Sequence, residues 1–115
     1  MAIKHKSEIK LTVSMDENRV PEELTWDASD GGVENEAAKA FLLSVWDKKS
    51  GDTLAIDLWT KDMLLDDMKR FFHQTFVSMA NSFERATDET SMAADMRDFA
   101  AHFAEKMNLI EPNGQ

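Results

Sequence analysis

AFLLSVWDKKSGDTLAIDLWT, residues 40–60, decides the fold. In its first half, Phe41, Leu43 and Val45 share one face of an extended chain, while Leu42, Ser44 and Trp46 share the other. In its second half, Leu54, Ile56 and Leu58 alternate with Ala55, Asp57 and Trp59. This period of two predicts strands over 40–48 and 53–60. Between them KKSGD, residues 48–52, supplies turn chemistry, with Gly51 suited to a left-handed position. Both strands are apolar on one face and partly apolar on the second. Such a ribbon is expected to pack on helices by one side and to touch a partner by the other.

Immediately downstream the period changes. In KDMLLDDMKRFFHQTFVSMANSFERA, residues 61–86, the positions Leu64, Leu65, Met68, Phe71, Phe72, Phe76, Met79 and Phe83 fall at helical spacing. Thr60 or Asp62 is placed to cap this helix, and Asp66 and Asp67 suit its positive end. A second helix is predicted over 91–108, capped by Thr90 or Ser91, with Met92, Met96, Phe99, Ala100, Phe103 and Met107 as its stripe. Upstream, Ile9, Leu11, Val13 and Met15 alternate with polar residues over 7–15, and Leu24, Trp26 and Ala28 do so over 23–28. Asn18 and Pro21 punctuate the connection between these strands. Residues 29–36 read as an acidic loop that bends at Gly31 and Gly32. Residues 1–6 read as a frayed end and 110–115 as a tail. The predicted class is α+β: one domain over 1–115, an antiparallel meander of about four strands with two C-terminal amphipathic helices on one face.

Composition narrows the function. The 115 residues fit one domain of common size, and a hydrophobic fraction of 43% supports a packed core. Twenty-two acidic against thirteen basic side chains leave a net charge of −9. Such a field repels a phosphate backbone and an anionic membrane, so nucleic acid is not an expected partner. It fits a soluble acidic domain, or one that attracts basic or unfolded clients. There is no cysteine, which removes thiolate chemistry and cysteine-ligated metals. The basic start of the chain is followed by no apolar run of signal-peptide length, and no stretch is apolar enough to insert directly in a membrane. The expected location is cytoplasmic.

No residue pattern demands a catalytic, cofactor or metal site, and none is assigned. His73 flanks the first helix stripe as a packing or surface residue. Asp98 and His102 stand one turn apart and are expected to hydrogen-bond along the second helix. His5 lies in the frayed end. Asp27, Asp30, Glu34 and Glu36 gather oxygen ligands that calcium would accept, but at positions that do not match an EF-hand. They read as a solvated loop, and Asp66–Asp67 as helix-end electrostatics. The eight methionines at helical spacing read as core before binding groove. The tryptophans are more telling. Trp46 and Trp59 lie on facing strands, on the face opposite the aliphatic set, where an exposed pair would form an aromatic anchor. The candidate partner-binding residues are therefore Trp46, Trp59, Leu42 and Asp57, with a homo-oligomer contact as another use of the same face.

Several words in the chain resemble the gliding-motility-associated GldC family of Bacteroidota. They are FLLSVWD at 41–47, IDLWTKDM at 56–63, FFHQT at 71–75 and FERAT at 83–87, flanked by KSEIK at 6–10, MRDF at 96–99 and FAEK at 103–106. The resemblance implies a cytoplasmic accessory protein of gliding motility, a process tied to type IX export. It implies no activity and transfers no catalytic residue. In layout the expected fold also resembles the export chaperone SecB, which suggests holding unfolded export clients on apolar surface. A third reading is a small-ligand or enzymatic domain with a pocket between sheet and helices, lined by His73, Asp57 and the acidic loop.

Overall fold

The computed structural model describes residues 2–109. The chain forms two compact units, Met1–Met63 and Leu64–Gln115. The tail assigned to 110–115 lies outside the described residues.

The first unit holds five antiparallel strands: β1 (Ile9–Met15), β2 (Pro21–Ala28), β3 (Val33–Ala38), β4 (Ala40–Trp46) and β5 (Thr53–Trp59). They form two sheets, β1-β2-β3 and β4-β5. In the first sheet Leu11 pairs with Trp26, Val13 with Leu24, and Leu24 in turn with Ala38. These side chains share one face, while Lys10, Thr12, Thr25 and Asp27 share the other. Leu24 is the one large side chain of the described residues with no solvent exposure.

β3 is one strand more than the alternation predicts, and its first four residues, 33–36, lie in the stretch read as loop. VENEAA carries little apolar periodicity, so its strand is made by backbone pairing with β2. The Gly31–Gly32 turn makes that pairing possible. The Gly31 N–H donates to the Ala28 carbonyl at 3.2 Å, and Gly32 adopts φ 67°. The register slips between Trp26 and Ala28, where Asn35 takes φ 48° and its N–H donates to Asp27 Oδ1 at 2.8 Å. Asp27 of β2 thereby holds a bulge.

The β1–β2 turn is organised by Asp16, whose Oδ1 accepts the N–H groups of Asn18 (2.8 Å) and Val20 (3.0 Å). Lys61 donates to Asp16 and Glu22, both at 3.2 Å, and its own N–H reaches the Pro21 carbonyl. The end of β5 is thus tied to the start of β2. The Val20 N–H bond, helped by Lys61, holds the Asp16 carboxyl below its ordinary value, and the bonds from Asp16 and Glu22 raise Lys61. Thr60 is buried, with its hydroxyl donating to Asp62 Oδ1 at 2.7 Å and its N–H donating to the Lys39 carbonyl.

The second unit is a pair of helices, α1 (Leu65–Thr87) and α2 (Thr90–Lys106). Among the described residues its buried side chains are all alanines, Ala80, Ala93, Ala100 and Ala104. Small side chains let two helices approach closely. Phe76 stacks edge-to-face on Phe99 and Phe103, with centroids 5.3 and 5.2 Å apart. Arg97 of α2 reaches across to Asn81 and Glu84 of α1. The predicted caps are not used. The N-cap positions are Leu64 and Glu89, neither with a side-chain capping bond, although Asp66 and Asp67 do occupy the first turn of α1. Thr60 and Asp62 instead bond to each other and to Lys39 at the base of the β4–β5 ribbon. Asp88 closes α1 in the left-handed conformation at φ 59°.

Candidate interaction surface

The β4–β5 ribbon is fixed by its register. Ala40 pairs with Trp59, Leu42 with Asp57, Ser44 with Ala55 and Trp46 with Thr53. Neighbouring pairs point to opposite faces, so these four share one face. Trp46, Trp59, Leu42 and Asp57 all belong to it, as the alternation predicts. All four are exposed: Trp46 at 70% and Trp59 at 52% of their full accessibility.

Their spacing differs from a single aromatic patch. Trp46 stands at the turn end and Trp59 at the open end, six residues along the strand, or roughly 20 Å at the strand repeat. Leu42, Ser44, Ala55 and Asp57 fill the interval. The face is an apolar strip with an aromatic anchor at each end and one carboxylate midway. Such a strip suits an extended or ridged partner better than a compact ligand.

The turn end is closed by local hydrogen bonds, the Asp47 N–H donating to the Asp52 carbonyl and the Gly51 N–H to the Asp47 carbonyl. Gly51 sits at φ 70°, as its sequence position predicts, and a Cβ there would lie 4.0 Å from the Trp46 ring. Asp47 accepts the Ser50 N–H at 2.8 Å, which lowers its carboxyl from the ordinary value. At the open end Lys39 donates to Asp62 at 2.7 Å and holds that carboxyl down as well. Beside β5, Val20, Pro21, Asp57, Leu58, Trp59 and Lys61 line a groove of about 360 Å³. Asp57 and Trp59 therefore border a shallow apolar recess with one anion and one cation.

The remaining polar candidates scatter. Asp27 and Glu34 border a second recess of about 210 Å³ with Glu8, Lys10, Ser29 and Val33. His5 meets Asp30 at 3.3 Å. The expected Asp98–His102 hydrogen bond does not form among the described residues, where His102 instead lies against Phe99 at 6.0 Å. His73 is half-buried on α1. Among the described residues no three His, Asp or Glu side chains cluster as metal ligands would, and no helix is long and apolar enough to cross a membrane.

A family model for gliding motility-associated GldC-like proteins matches residues 21–109. The chain belongs to the GldC-like family. The match begins at the first residue of β2 and runs through both helices, so the ribbon lies wholly inside it, while β1 and the KSEIK word lie outside. Family membership associates the protein with gliding motility. No curated protein and no solved structure matches the chain.

Proposed function

We propose that this protein is a non-enzymatic cytoplasmic accessory factor that supports gliding motility, and the export linked to it, by binding another protein on the Trp46–Trp59 face. The observation that carries the reading is a short ribbon whose Leu42, Trp46 and Trp59 are all exposed on one face. Keeping large aromatic side chains in water has no stabilising use, whereas aromatic anchors at two ends of a strip concentrate binding energy. Asp57 between them gives one polar point for register.

The test is site-specific photocrosslinking in the native cell from positions 44 and 55, which pair on the same face between the two tryptophans. A discrete adduct with a motility or export component is expected. It is lost in a Trp46→Ala/Trp59→Ala variant whose melting temperature is unchanged. An unaltered adduct from that variant would place binding elsewhere. A chaperone role for export clients draws on the same strip together with the −9 charge, which would keep a loaded complex in solution. It predicts that the wild type, and not the double variant, slows aggregation of a reduced, unfolded protein.

A further inference from the structure

The recess beside β5 holds two charges of unequal standing. Val20, Pro21, Leu58 and Trp59 give it apolar walls, and Asp57 and Lys61 are its charged residues. All six belong to the first unit, and the Lys61 N–H, donating to the Pro21 carbonyl at 3.1 Å, holds its two sides together. Its shape is therefore set by the start of β2 and the end of β5.

The Lys61 ammonium is committed to Asp16 and Glu22, at 3.2 Å each, and is more than neutralised. Asp57 makes no ion pair among the described residues. It is also the one charged residue of the four pairs on its face of the ribbon. Three carboxylates, Asp16, Glu22 and Asp57, against the one ammonium of Lys61 leave the recess and its rim at −2. Trp59 follows Asp57 by two positions on the same face, roughly 7 Å along the strand.

An unpaired carboxylate, an indole and an aliphatic wall are together what an arginine side chain satisfies. Its guanidinium pairs with a carboxylate through two N–H groups and stacks on an aromatic ring, while its methylene stem lies on apolar surface. Lysine offers a more strongly hydrated point charge without the planar fork. An anionic ligand would meet the net −2, and a neutral apolar group would desolvate Asp57 without pairing it.

We propose that this recess takes an arginine side chain of the protein bound on the Trp46–Trp59 face, a proposal that rests on that face being the binding surface. The arginine sits at the open end of the strip and fixes its register. Leu42 and Trp46 then receive apolar side chains of the same extended segment, the farthest about six residues along it.

The probe is N-acetylarginine methylamide, titrated into the full chain. The readout is the indole N–H resonances of Trp26, Trp46 and Trp59, assigned with Trp46→Phe and Trp59→Phe. The Trp59 signal should shift saturably, with a dissociation constant of roughly millimolar order, while the other two stay in place. The citrulline derivative has the same shape without the charge. It should bind about tenfold more weakly, losing both the ion pair and the ring contact. Asp57→Asn should weaken the arginine probe by about three- to fivefold. Asp52→Asn, which removes the same charge at the turn end, should leave its binding unchanged. No saturable shift at Trp59, equal binding of the arginine and citrulline derivatives, or equal effects of Asp52→Asn and Asp57→Asn would each overturn the arginine assignment. None of these results involves the partner, so the two readings fail separately: absence of an adduct from positions 44 and 55 counts against the binding face itself.

Discussion

Leu24→Ala and Leu54→Ala remove the same atoms from two strands of one unit, yet the structure assigns them very different costs. Leu24 is fully buried on β2, between Val13 and Ala38. Truncating it loses the transfer energy of the side chain and leaves a cavity that flanking strands cannot close, so about 3 kcal/mol is expected. Leu54 is 57% exposed on the aliphatic face of β5. Less than half of its burial energy is at stake and no cavity forms, which leaves roughly 0.5–1 kcal/mol. For a unit of this size, each kcal/mol shifts the melting temperature by about 4–8 °C. Leu24→Ala should then lower the transition by about 12–24 °C and Leu54→Ala by only a few degrees. The assay is thermal melting followed by far-ultraviolet circular dichroism, at protein concentrations too low for self-association, with urea titration to compare slopes. Equal losses from the two variants would refute the reasoning, because Leu54 would then be packed as tightly as Leu24.

The acid limb of stability should depend on Asp16, Asp47 and Asp62. Their carboxyls are lowered in the folded protein, chiefly by the Val20 N–H, the Ser50 N–H and Lys39 respectively. A lowered carboxyl contributes stability above its unfolded value of 3.8 and loses it as pH falls through the folded value. Asp16→Asn should therefore flatten the dependence of urea stability on pH below about 4, while the wild type loses stability there. Lys61 has the opposite sign. Raised from 10.5, it contributes fully below that pH and loses its contribution above it, so Lys61→Gln should flatten the alkaline limb. In the helical unit, Ala100→Leu should cost roughly 1–3 kcal/mol by overpacking a site that is almost wholly buried, whereas Ala101→Leu on the exposed side of α2 should be near neutral. Chemical denaturation of the two variants, followed by helical ellipticity, distinguishes these outcomes.

The element types were legible in the chain because side-chain period is a local property. Alternation over residues 9–15 and 40–60 specifies strands, and the aromatic repeat from Phe71 to Phe83 specifies a helix, whatever the neighbours do. Shared faces follow from the same periodicity, so Trp46, Trp59, Leu42 and Asp57 could be grouped before any tertiary contact was known. The motility association was legible too, in words such as DLWTKDM that lie within the matched region.

Other features depend on pairing between distant residues, and no local pattern carries them. β3 exists because a glycine turn brings VENEAA against β2, where backbone hydrogen bonds replace the missing apolar alternation. The caps expected at Thr60 and Asp62 went elsewhere because the Asp62 carboxylate accepts from Lys39, 23 residues upstream, and from the Thr60 hydroxyl. Register alone separates the two tryptophans to opposite ends of the ribbon. Exposure, finally, is a property of the whole molecule. The sequence by itself determined that the ribbon has two apolar faces. Only the tertiary structure decided which residues face each other across it, because register depends on contacts between strands and not on local period.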